Sequence, residues 1–179
     1  GTTFSLGGYA AVAGAVSVDA ATLSNGTLTA ASLAATSSGT VSANLAGSGS
    51  LTKTGNGVLT LSGTNSSYSG TVTVNAGTVA LASASAVGTG AIALGSGATL
   101  ASNGATARTL TNNLTLNGNV TLGDATNTGA ISFSTGSVDL ADGNRTVTTP
   151  SNVTLGGAIS SANAASGALT KAGAGTLTL

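Results

Sequence analysis

A chain of 179 residues with four basic and four acidic side chains, zero net charge and 28 glycines lacks most of the chemistry that proteins ordinarily use. It has no His, Cys, Met or Trp and its acids are all aspartates, so disulfides and thiolate metal sites are excluded, and no field attracts nucleic acid or acidic lipid. Yet 41% of the residues are hydrophobic, which at zero net charge predicts an ordered chain with a thin aliphatic core and a surface of Ser, Thr and Asn.

Along the chain, residues 1–20 open with Phe4, Leu6 and Tyr9 and continue in small residues. Gly7, Gly8 and Gly14 interrupt the Ala-rich run, so a strand or an irregular edge is expected there in place of a helix. From residue 22 to 46, Leu23, Leu28, Leu33, Val41 and Leu45 alternate with polar residues around Asn25-Gly26 and Ser38-Gly39, which predicts one or two looser windings. Residues 47–102 are the most regular. Leu59 and Leu61 flank Thr60, Val72 and Val74 flank Thr73, and Val79 and Leu81 flank Ala80, a period of two that marks strands of about five residues. Between them stand Gly/Asn corners such as Gly55-Asn56-Gly57 and Asn75-Ala76-Gly77.

The same alternation continues through Leu114, Leu116, Val120 and Leu122 to Ile131, Phe133, Val138 and Leu140, with Phe133 filling a wider layer. A turn is expected over 139–144, Pro150 belongs at a corner because it cannot donate to a ladder, and 161–166 reads as a small-residue loop. The segments recur at a fixed offset. Leu59 to Val79 is 20 residues, and Val72 to Ile92, Leu94 to Leu114 and Leu100 to Val120 repeat it, as do Gly57, Gly77 and Gly97. Such a period predicts a solenoid of on the order of nine stacked coils, about 40 Å long at the usual strand spacing. Its inward positions are Leu59, Leu61, Val72, Val74, Val79, Leu81, Ile92, Leu94, Leu114, Leu116, Val120, Leu122, Ile131 and Phe133.

The stretch GSLTKTGNGVLTLSGTNSSYSGTVTVNAGTV, from Gly49 onward, resembles the passenger-associated transport repeat, also called the autotransporter-associated β-strand repeat. The resemblance rests on Gly49, Leu51, Thr52, Lys53, Gly55, Gly57, Leu59, Leu61, Gly63, Asn65, Tyr68, Gly70, Asn75, Ala76 and Gly77. A second opening, GALTKAGAGTLTL, occupies 167–179, with its lysine 171 − 53 = 118 residues after the first. One extra residue separates Asn65 from Tyr68, and a single glycine, Gly70, stands where the family often has two. What the resemblance implies is an all-β, right-handed, single-stranded parallel β-helix on a secreted or cell-surface passenger. Its own outer-membrane translocator domain would lie elsewhere, since two Phe and two Tyr cannot supply the aromatic girdles of a barrel.

Candidate chemistry is sparse. Asp19, Asp124, Asp139 and Asp142 are the available acids, but Gly-Asp-Ala and Asp-Gly-Asn are turn sequences, and 139–144 lacks the ligands of a calcium loop. Lys53 and Lys171 share the parity of Leu51 and Leu169, so an unbroken strand points them inward; because an unpaired buried ammonium is costly, the strand is expected to bend and release the head to solvent. Tyr68 is expected to pack its ring over a turn. Six Asn-x-Ser/Thr sequons, Asn25 and Asn113 among them, arise readily in this composition and do not indicate glycosylation. A Thr-x-Thr ice-binding array fails one winding after Thr71 and Thr73, at Ala91 and Ala93.

No catalytic, cofactor-binding or metal-binding residue is therefore assigned, and no nucleic-acid or cofactor partner. The chain is expected to be one β-helix segment, 1–179, within a longer passenger, with repeat units at 49–82 and, truncated, at 167–179. Residues 1–14 lack a basic start, so export signals are expected outside the stretch. The expected role is structural, in export by coil stacking and in a rigid extracellular stalk. A fibre subunit or adhesin is the alternative, with a polysaccharide-cleaving enzyme and an ice-binding solenoid ranked behind it. The open strand Thr176-Leu177-Thr178-Leu179 suggests a further winding or end-to-end self-association, weakly sensitive to salt.

Overall fold

The structure, a computed structural model, describes residues 1–162 and 167–179. The first windings carry β1 (Thr2–Ser5), β2 (Ala10–Ser17), β3 (Ala21–Ser24), β4 (Thr27–Ala35), β5 (Gly39–Val41), β6 (Asn44–Ala46) and β7 (Ser50–Lys53). The central ones carry β8 (Val58–Leu61), β9 (Val72–Val74), β10 (Thr78–Leu81), β11 (Ile92–Leu94), β12 (Thr99–Ser102), β13 (Arg108–Leu110) and β14 (Leu114–Leu116). There follow β15 (Val120–Leu122), β16 (Ile131–Phe133), β17 (Val138–Asp139), β18 (Arg145–Thr148), β19 (Val153–Leu155), β20 (Ile159–Ser160), β21 (Leu169–Ala172) and β22 (Leu177–Thr178). Among the described residues there is no helix, and every strand pairing is parallel. The small-residue loop read from 161–166 falls, over 163–166, outside the described residues.

These strands stack into three walls of a β-solenoid. Wall A runs β1-β3-β5-β8-β10-β12-β15-β18-β21 and wall B runs β2-β4-β7-β9-β11-β14-β17-β20. Wall C runs β13-β16-β19-β22, and the leading halves of β2 and β4, together with β6, begin it at the other end. Nine strands in wall A make eight steps, hence about eight turns against the nine expected, or roughly 38 Å at the usual spacing.

Period-two alternation places one residue of each pair inward, and stacking aligns them into columns. Leu51, Val72, Ile92, Leu114, Val138 and Ile159 form one column on wall B; Leu59, Val79, Leu100 and Leu122 form one on wall A. Phe133 stands between Leu110 and Leu155 on wall C and is wholly buried. All fourteen positions expected to point inward are buried. The outward column on wall B reads Thr52, Thr73, Ala93, Thr115, Asp139, so the threonine array is broken as expected.

The winding is not constant. Ala10 pairs with Thr27, 17 residues on; Leu59 pairs with Val79, 20 on; Ile92 pairs with Leu114, 22 on; and Leu114 pairs with Val138, 24 on. Two of the 20-residue offsets are corrected by this register. Leu94 partners Leu116, not Leu114, and Leu100 partners Leu122, not Val120. Coils lengthen as wall C changes from the irregular segments at 62–70 and 82–90 into the regular strands β13, β16 and β19.

Candidate functional site

The most elaborate local structure lies where the repeat-like stretch turns from wall B to wall A. Strand β7 runs straight through Lys53, which pairs with Ala35 on one side and Val74 on the other, both inward residues. The side chain is 0% exposed, so the expectation that the strand bends and frees the head to solvent is overturned. The cost of burial is reduced by folding the ammonium back: Nζ donates to the Gly55 carbonyl two residues on. Burial holds the Lys53 ammonium below the ordinary lysine range, against the pull of the Asp19 carboxylate.

Lys171 repeats the device, its Nζ donating to the Gly173 carbonyl at 2.7 Å, but on an exposed side chain. It lies in β21 on wall A, and its corner leads to β22 on wall C, whereas the corner at Lys53 leads from wall B to wall A. The two copies therefore occupy different edges of the solenoid. What the pattern Leu-Thr-Lys-x-Gly-x-Gly encodes is a strand-corner-strand unit, independent of which walls it joins.

Beyond β8 the chain crosses wall C without regular strand pairing, and two buried residues organise it. Asn65 is wholly buried and joins three coils: its Oδ1 accepts from Leu45 N at 2.6 Å and its Nδ2 donates to Ala86 O at 2.5 Å. Tyr68 is buried as well, its ring laid against Gly70 and Gly88, and burial pushes its hydroxyl up to about 12. It is a packing residue, as its place before a corner suggested. Beside it Gly49, Gly70 and Gly90 stack in a column so tight that a Cβ on Gly70 would sit 1.9 Å from the Gly49 oxygen, and one on Gly90 2.1 Å from that of Gly70. Asn112 extends the column, its Nδ2 donating to Gly88 O at 3.0 Å and Gly90 O at 2.7 Å.

The remaining polar groups serve corners. Asp19 accepts from Ser17 Oγ, from Thr36 through both its N-H and its hydroxyl, and from Ser37 N, and these bonds, the Ser17 hydroxyl first, hold its carboxyl far below the usual range. Asp124 accepts from Thr126 N and Asn127 N, and Asp139 from Ala141 N, which are turn roles; Asp142 accepts from Ser161 Oγ. Arg108 donates Nε to Leu81 O at 3.0 Å, and Arg145 donates to Leu116 O, Leu140 O and Ala141 O. The aspartates are not gathered into one cluster, and among the described residues no group of three acidic ligands is placed to hold a metal.

One role was missed at the level of sequence. Asn44, Asn113, Asn119, Asn144 and Asn152 each stand just before an inward residue or a strand start, and each Oδ1 accepts a backbone N-H from the next coil, 20 to 27 residues on. Four of them head sequons. Asn-Val-Thr is the spelling of a corner residue, an inward residue and an outward residue in turn, so the sequons follow from the winding. The recurrence of Asn before an apolar-Thr pair was the available signal.

Fold and corners together define a repeat β-solenoid whose polar side chains are engaged in closing corners and in holding coil to coil. Residues 51–81 and 169–179 match the family model described as passenger-associated-transport-repeat. The chain thus carries the repeats of autotransporter passengers, and the solenoid fold fits such a passenger. Among curated proteins and solved structures, nothing matches the chain.

Proposed function

We propose that this chain is a structural segment of a secreted or surface-displayed autotransporter-like passenger, and not an enzyme. Its coils support export by stacking outside the membrane as they emerge, and then stand as a rigid extracellular stalk. The observation that carries the reading is the pair of passenger-associated-transport-repeat matches, set in a continuous solenoid in which the buried Asn65 of the first repeat links successive coils. Each new coil buries apolar side chains and completes a backbone ladder, at roughly 25 cal/mol per Å² of apolar surface, so addition of coils biases the chain outward. The partners this reading calls for are the passenger's own outer-membrane translocator and a second copy stacked end to end.

Deleting residues 49–82 from the full-length protein is expected to slow or block its display at the cell surface, measured by protease accessibility of intact cells. Unchanged display with loss of polysaccharide cleavage would contradict the proposal in favour of an enzyme. Unchanged display with loss of adhesion alone would favour an adhesin.

A further inference from the structure

Lys53 and Lys171 show the same ammonium-to-carbonyl corner in two settings, one with a strand on both sides and one with a strand on one side only. Lys171 pairs with Val147 below it and is exposed above. Lys53 pairs with Ala35 below and is sealed by Val74 of β9 above. An ammonium so covered keeps one acceptor, the Gly55 carbonyl, where three donors need partners.

We propose that docking of β9 over Lys53 is proton-linked: closing the coil covers the ammonium held on Gly55 and weakens its hold on its proton, which passes to solvent at lower pH than it would from an uncovered lysine. The reaction balances as R-NH3⁺ to R-NH2 plus H⁺ taken by water or buffer. The groups packed on Lys53 from β4 and β9 are Ala35 and Val74, neither of which titrates. The charged group that acts on it is Asp19, whose carboxylate is already engaged by Ser17, Thr36 and Ser37. That attraction opposes proton loss and is outweighed by burial. The inference concerns one coil of this chain and stands whether or not the chain is a passenger.

The sign follows from linkage. The folded state holds the Lys53 proton less firmly than the unfolded state, so stability is lowest below the folded value, rises with pH, and levels off above the ordinary lysine value of 10.5. Because Lys53 and Lys171 are the chain's two lysines, lysine-selective ¹³C labelling of the intact protein gives two side-chain signals. The signal lost in Lys53→Met is expected to titrate below the ordinary lysine value of 10.5. Between pH 7 and 9.5 the folding equilibrium constant of the unsubstituted chain should rise relative to both Lys53→Met, which has no charge, and Lys53→Arg, whose charge does not titrate. Holding below pH 9.5 keeps Tyr68, which titrates in the opposite sense, out of the window. A Lys53 signal titrating at the ordinary lysine value, or pH profiles that run parallel in wild type and whichever variant folds, would overturn the proposal.

Discussion

Gly70→Ala is expected to destabilise the chain by about 3 kcal/mol or to prevent folding, although it adds a single methyl group. The added Cβ would meet the Gly49 oxygen at 1.9 Å and the Tyr68 hydroxyl at 2.6 Å. The ring can swing away, but the oxygen belongs to the backbone of the coil below. Relief therefore requires the two coils to part at that edge, and parting them breaks the ladder between β7 and β9, including the bond from Leu51 N to Thr71 O at 2.9 Å. The column transmits the strain, because Gly90 stacks on Gly70 as Gly70 stacks on Gly49. Gly14→Ala is the matched control: no atom lies within 4 Å of its added Cβ, its φ is not in the left-handed region, and its effect should stay within about 0.5 kcal/mol. Guanidinium unfolding of the two variants decides the matter.

Asn65→Leu should cost about 2–6 kcal/mol despite the greater hydrophobicity of the new side chain. It leaves the Leu45 N-H and the Ala86 carbonyl buried without their partner, one in the coil before and one in the coil after. Each such group costs about 1–3 kcal/mol, and leucine offers neither. Asn65→Asp separates the two contributions. A carboxylate still accepts from Leu45 N-H but faces the Ala86 oxygen with a second acceptor, so its folded-state pKa rises and the variant is weakest at neutral pH. Acidification should restore part of the loss, since the protonated acid can donate to Ala86. A variant whose deficit is flat between pH 7 and 4 would show that the Nδ2 bond contributes little.

How much of this was legible in the sequence depends on what alternation can carry. The period of two fixed the inward set, and Leu59 to Val79 fixed the central winding. It misread Leu94 and Leu100, because a slip of two residues leaves every side chain on the same face and so leaves no mark in the hydrophobic pattern. Only backbone pairing distinguishes 20 from 22. The lysine was misjudged for a related reason: parity pointed Lys53 inward, and the general cost of a buried charge argued against it. The carbonyl of Gly55, which offsets that cost locally, is a matter of corner geometry and has no signature beyond the Lys-x-Gly spacing. Asn65 was recognised as a family position, while its bonds to two other coils depend on contacts 20 and 21 residues away.

The central claim is that one winding of chain is one interchangeable layer, and coil deletion tests it most directly. Leu59 and Val79 are register partners, so removing residues 59–78 joins Val58 to a residue that already occupies the same place on wall A. Removing residues 59–68 deletes half as much and brings wall C sequence onto wall A. Far-ultraviolet circular dichroism with guanidinium unfolding should show the 20-residue deletion retaining a strand spectrum and one cooperative transition, and the 10-residue deletion losing both. Equal tolerance of the two, or survival of only the shorter deletion, would contradict the layered solenoid.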